Sequence, residues 1–250
     1  MCIRDRIMNL EFDYKIYNLE NLLDGDEFTR LGELVHNFNI KLSEIKSALG
    51  FLQWSDRVQN KVSEIDLLRF NRIEGNYEIT YDDFQFLRNL NEEFGFNDND
   101  YFNFFLTHPI QCLKDNGIHS LLTNVYEKIL FDLFNKNVKN EHKENLMGNI
   151  NVYPYGSFIK KHTDNDPDGN RLFTILFFLN DNRDINHGSI LKLYSENGII
   201  DVIPDYKKCV LIEHQKYNYA HEVTKNVSNN VRYSIYSPFT INDYNLKLMD

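Results

Sequence analysis

The sequence predicts an α+β protein: a mainly helical N-terminal portion, residues 1–145, packs on a β-rich core of jelly-roll form (a double-stranded β-helix) over residues 146–250. Three observations lead there. Apolar residues before residue 145 recur mostly at helical spacing. After it come short β-like runs broken by turn residues. The composition, 42% hydrophobic and 14% aromatic, supplies enough apolar surface for a packed interior.

The helical signal is local. Phe28, Leu31, Leu34, Val35 and Phe38 recur at threes and fours behind Asp24 and Asp26, whose carboxylates suit a helix start. Ile118, Leu121, Leu122, Val125, Ile129, Leu130 and Leu133 follow Gly117 in the same rhythm and predict one long amphipathic helix. Further helices are expected around 57–70 and 82–94, and the acidic, Asn-rich stretch from Asn91 to Asp100 reads as a solvated loop.

The β-like runs are 147–155, 171–179, 189–194, 199–203, 208–213, 219–224 and 231–237. Strands this short and this evenly spaced favour two sheets folded together. That arrangement covers one face of each strand and limits exposed edges, so an eight-stranded jelly roll is expected. No repeat, heptad or Pro/Gly-rich linker divides the chain. Residues 1–8 lack the apolar stretch of a secretory signal and are given no role in the fold.

Charge and cysteine usage exclude several functions. A net charge of −10 and a pI near 5.3 argue against nucleic acid as a partner, because a phosphate backbone demands clustered Lys and Arg. Cys2, Cys112 and Cys209 are far apart and form neither a disulfide framework nor a zinc-thiolate pair, so a reducing cytoplasm is the expected location. No uncharged apolar run reaches the roughly 18 residues of a membrane span.

The chemistry sits in the β half. His162-Thr163-Asp164 places an imidazole and a carboxylate two residues apart, on one face of an extended chain. His221 lies in another strand-like run that pairing could bring to the same mouth. Two imidazoles and one carboxylate on one side of a metal leave positions open, as iron needs to bind a chelating co-substrate and O2 together. A structural zinc site would be closed by four protein ligands. Arg232 follows His221 by eleven residues, with Ser234 two further on, so a guanidinium fork and a hydroxyl can face inward to hold a carboxylate. His214 is the rival metal ligand, but beside Gln215 and Lys216 it reads as part of a polar turn. His36, His108, His119 and His142 are expected to be structural.

These residues carry a resemblance. Tyr153-Pro154-Tyr155-Gly156 leading to His162-Thr163-Asp164 resembles the Y-x-x-G-x5-H-x-D signature of the prolyl 4-hydroxylase group of 2-oxoglutarate/Fe(II)-dependent dioxygenases. His187-Gly188-Ser189-Ile190-Leu191, Ile203-Pro204 through Ile212, His221-Glu222-Val223 and Arg232-Tyr233-Ser234 resemble its later strands, so the likeness spans roughly 147–237. Within the group, the oxygen-sensing and bacterial protein prolyl hydroxylases look most similar.

The resemblance implies Fe(II) held by His162, Asp164 and His221, with 2-oxoglutarate as co-substrate, O2 as oxidant and ascorbate as reductant. Arg232, Tyr153, Ser234 and Thr174 are the expected co-substrate residues. Phe178 stands where the oxygen-sensing enzymes have a tyrosine that helps to hold 2-oxoglutarate, and His187 stands where glycine is usual. Related halogenases replace the carboxylate with Gly or Ala, so Asp164 implies hydroxylation of a C–H bond. A prolyl residue of a protein or peptide is the expected substrate, which calls for a broad apolar-aromatic mouth around His162, lined by the helical half and residues 165–171. The alternatives are a free amino acid or other small molecule and, more distantly, a non-catalytic jelly-roll binding protein.

Overall fold

The computed structural model describes residues 13–45, 60, 71–73, 76–78, 80–95, 97, 99–100, 103–164, 170–215 and 220–249. Its strands are β1 Tyr14–Asn18, β2 Asn71–Ile73, β3 Asn76–Glu78, β4 Asn103–Phe104, β5 Leu106–His108, β6 Ile150–Tyr153, β7 Phe158–His162, β8 Arg171–Phe178, β9 Leu191–Ser195, β10 Gly198–Val202, β11 Lys208–Glu213, β12 His221–Val223 and β13 Arg232–Thr240. The helices are α1 Gly25–His36, α2 Tyr81–Phe94, α3 Gln111–Asp115, α4 Ile118–Phe134 and α5 Ile241–Lys247.

Antiparallel pairing builds a six-stranded sheet, ordered β1-β11-β8-β13-β6-β5, and a five-stranded sheet, ordered β10-β9-β12-β7-β4. β2 and β3 form a separate hairpin. The two large sheets fit a jelly-roll fold. β8 shows why its sequence is apolar almost throughout. Phe173, Ile175 and Phe177 join one buried cluster with Leu31 and Val35 of α1, Phe84 of α2 and Leu121 and Val125 of α4. Leu176 and Phe178, on the opposite face, join a second cluster with Leu191 and Leu193 of β9, Val210 and Ile212 of β11 and Val223 of β12. A strand covered on both sides needs apolar residues at every position, each contributing about 1.5–3 kcal/mol on full burial.

The helix starts follow their caps. The Asp24 carboxylate accepts from Glu27 N at 2.8 Å while Glu27 returns the bond to Asp24 N, which fixes the start of α1. Thr80 and Asp83 do the same for α2, which ends at Gly95 with φ +63°. No helix among the described residues is long and apolar enough to cross a membrane.

Several expectations change. The portion before residue 145 carries β1, β4 and β5, which extend both large sheets, so hydrogen-bonded ladders cross the expected boundary. These strands are short, and pairing with distant residues stabilises them, which periodicity does not register. Phe158–His162 is a strand of its own, and α2 matches the helix expected around 82–94, which leaves the solvated loop expected from Asn91 to start only after Phe94. Asp100 is buried and accepts from Asn97 N at 2.9 Å. The helix expected around 57–70 lies outside the described residues, apart from Asn60.

Candidate metal centre and carboxylate anchor

β7 and β12 bring the first two candidates together. His162 ends β7, His221 begins β12, and the two are register partners whose ring centroids lie 4.3 Å apart. Asp164 follows His162 by two residues and places Oδ1 3.4 Å from His162 Nε2. One ligand atom from each of the three residues lies within 4.8 Å of the other two, a spacing that one ion spans. His162 Nδ1 lies 2.7 Å from the Lys160 carbonyl, which fixes the tautomer that leaves the Nε2 lone pair for a metal. Two imidazoles and a carboxylate, with no fourth residue in the cluster among those described, fit an open Fe(II) site.

A polar layer lies behind Asp164. Its Oδ2 is 3.3 Å from Arg171 Nη1, 3.6 Å from His214 Nε2 and accepts from the Tyr236 hydroxyl at 3.4 Å. Burial alone would raise the Asp164 pKa, but the hydrogen bond with His162 and the charges of His221, His214 and His162 outweigh it and hold the carboxyl well below the usual carboxylate range. His214 departs from expectation, being a buried residue just after β11 and no exposed turn residue. Burial is the main cause that pushes its pKa down to about 4, against the opposing pull of Asp164. It stands outside the three-residue cluster and touches the carboxylate from behind.

Arg232, the expected carboxylate anchor, lies on the six-stranded sheet, whereas His162 and His221 lie on the five-stranded one. Arg232 begins β13 opposite Tyr153 of β6 and is only 1% exposed. Its guanidinium carbon lies 4.4 Å from the Tyr153 ring centroid and 5.6 Å from that of Phe178. Nε and Nη1 find no hydrogen-bond partner among the described residues. Burial lowers the Arg232 pKa, and the Tyr153 hydroxyl engages Arg232, Ser234 and Asn151. A buried cation with unmatched N–H groups is costly, and a carboxylate supplies the missing acceptors in a fork-to-fork geometry.

Thr174 departs from its expected place. It lies four residues along β8 from Phe178, the register partner of Ser234, and its hydroxyl is 2.9 Å from His214 Nε2. Strand alternation set its face, whereas its distance along the strand places it near the metal end. Beside Asp164 the described residues include Arg171, His214 and Tyr236, a polar set. Residues 165–169 of the expected lining lie outside the described residues. Tyr236 and Arg171 were missed, although Tyr236 continues the Arg232, Ser234 alternation on β13.

Residues 148–238 match the model of the 2OG-Fe(II) oxygenase superfamily, a family that implies Fe(II), 2-oxoglutarate and O2. In fold the chain resembles the prolyl hydroxylases. A Trichoplax adhaerens prolyl hydroxylase, solved in complex with a hypoxia inducible factor oxygen degradation domain peptide fragment, is similar in fold. The TM-score is 0.52 at 18% identity, covering 95% of this chain and 88% of that one. A Pseudomonas putida prolyl-4-hydroxylase gives a TM-score of 0.37 at 19% identity, over 48% of this chain and 64% of that one. Only the first bears on the fold. No curated protein matches the sequence.

Proposed function

We propose that the protein is an Fe(II)- and 2-oxoglutarate-dependent dioxygenase that hydroxylates an unactivated C–H bond, with a prolyl residue of a protein or peptide as substrate. The observation that carries this reading is the pairing of an open His162/Asp164/His221 cluster with a buried Arg232 whose Nε and Nη1 lack partners among the described residues. Iron, 2-oxoglutarate and O2 supply the oxidising chemistry when bound, and ascorbate serves as reductant. His162, Asp164 and His221 hold the metal. The bond from His162 to Lys160 keeps Nε2 available, and Tyr236 and Arg171 hold the second oxygen of Asp164.

Arg232 takes the distal carboxylate of 2-oxoglutarate, with Tyr153 and Ser234 adding hydroxyls where Phe178 has none. Thr174 serves the metal end through His214. The helical portion packed on the roll shapes the substrate approach, and the protein works in the cytoplasm. The peptide in the Trichoplax structure supports a prolyl substrate. A second reading, hydroxylation of a free amino acid or other small molecule, is favoured by Arg171, a cation 3.3 Å from Asp164. Mass spectrometry decides between them, using proline-containing peptides and free amino acids incubated with protein, Fe(II) and 2-oxoglutarate. A gain of one oxygen on a peptide is expected. Oxidation of a free amino acid alone would overturn the prolyl reading, and no turnover of 2-oxoglutarate at all would overturn the dioxygenase.

A further inference from the structure

Arg232 and Tyr153 are register partners in side-chain contact, and a carboxamide side chain grips the backbone around each of them. Asn180, just beyond the end of β8, brackets Arg232: its Nδ2 donates to the Val231 carbonyl at 2.8 Å and its Oδ1 accepts from Tyr233 N at 2.8 Å. The side chain thereby continues the ladder past the last residue of β8, pinning the peptide units on both sides of the arginine.

Asn226 is fully buried in the connection from β12 to β13. Its Nδ2 donates to the Tyr153 carbonyl at 2.8 Å and to the Asn230 carbonyl at 3.1 Å. Its Oδ1 accepts from Ser228 N and Arg183 Nη2, both at 3.2 Å, and Arg183 Nη1 donates to the Asn230 carbonyl at 2.7 Å. The Asn226 backbone closes the knot, donating to Ser157 O and accepting from Gly156 N, both at 2.8 Å. One side chain thus joins the turn after Tyr153 to the segment that delivers Arg232. Satisfied networks of this kind in a buried setting hold their members in one arrangement.

We propose that Asn180 and Asn226 are positioning residues that set the Arg232 guanidinium and the Tyr153 hydroxyl, and through them the affinity for the distal carboxylate of 2-oxoglutarate. This rests on the function proposed above. None of their hydrogen bonds runs to His162, Asp164 or His221, so a defect in the clamp falls on co-substrate binding and leaves metal binding alone.

The test compares wild type with N180A, N180D and N226A by calorimetric titration, first of Mn(II), then of 2-oxoglutarate into Mn(II)-loaded protein, with melting curves alongside. The expected result is 2-oxoglutarate affinity weakened about tenfold or more in both alanine variants, the scale of positioning defects, with Mn(II) affinity within about twofold of wild type. N180D keeps the acceptor for Tyr233 N and should fall between wild type and N180A. Unchanged 2-oxoglutarate affinity in a folded variant, or equal loss of metal and co-substrate affinity, overturns the clamp. Should N226A fail to fold, N180A decides alone. Wild-type protein that binds Mn(II) but no 2-oxoglutarate overturns the underlying reading instead.

Discussion

His162 and His221 face each other directly across the β7–β12 ladder, each the register partner of the other. The sheet itself therefore sets the separation of the two imidazoles, and Asp164 completes the cluster from a position two residues on. Replacing His162, Asp164 or His221 with Ala should abolish Fe(II) binding and the conversion of 2-oxoglutarate to succinate, with the fold retained. Metal content after anaerobic loading and succinate release check this; wild-type turnover in any of the three would refute the assignment.

Arg232 should trade stability for function. Removing it leaves the metal ligands in place, so Arg232→Ala should raise the 2-oxoglutarate KM by at least about tenfold with Fe(II) affinity unchanged, and Arg232→Lys should recover only part. Because Nε and Nη1 are buried without partners among the described residues, Arg232→Met should also raise stability in the absence of 2-oxoglutarate, by on the order of 1–3 kcal/mol. Urea denaturation measures it. A destabilised Arg232→Met protein would mean that the guanidinium is already satisfied.

Tyr236→Phe keeps the ring and removes the hydroxyl that donates to Asp164 Oδ2. Metal affinity should fall by about tenfold, the lower end for partners that orient a ligand, while 2-oxoglutarate affinity of the loaded protein changes little. Metal titrations of both proteins give the comparison.

His119, buried in α4, has its pKa lowered from 6.5, first by burial. The unfolded chain therefore binds a proton here before the folded protein does, so stability falls as pH drops below about 6.5. The loss of stability between pH 7.5 and 5.5 should be smaller in His119→Gln than in wild type. Identical slopes would show that this imidazole protonates as easily folded as unfolded.

Gly188→Ala should be among the more damaging single changes. Gly188 sits at φ +67°, and a Cβ there would lie 2.0 Å from the Lys225 carbonyl, which is backbone and cannot swing aside. A loss of about 2–4 kcal/mol is expected from denaturation curves, the range of strained backbone combined with overpacking.

The site was legible where its geometry is local. His162 and Asp164 share a face because strand side chains alternate, and the spacing from His221 to Arg232 allows one turn and a return strand. Features set by long-range approach were not legible. His214 belongs to Asp164 only because β11 and β8 pair, and the side chains of Asn180 and Asn226 take the place of strand partners at positions no pattern marks. Thr174 shows the intermediate case, since alternation gives the face of a strand residue and not its depth. The same applies to the helical portion: α1 and α4 were readable from threes and fours, while β1 was hidden because its partner lies almost two hundred residues away.

That distant pairing governs how the chain must fold. β1 covers the outer edge of β11, pairing Tyr14–Asn18 with residues 208–212. The edge cannot be protected until the C-terminal half of the chain is present, because closing so long a loop precedes any reward from the contact. During that interval Cys209-Val210-Leu211-Ile212 presents an apolar, open-edged strand, the kind of segment that recruits other chains. Deleting residues 1–18 would make that exposure permanent. The shortened protein should keep all three metal ligands and still collect in the insoluble fraction.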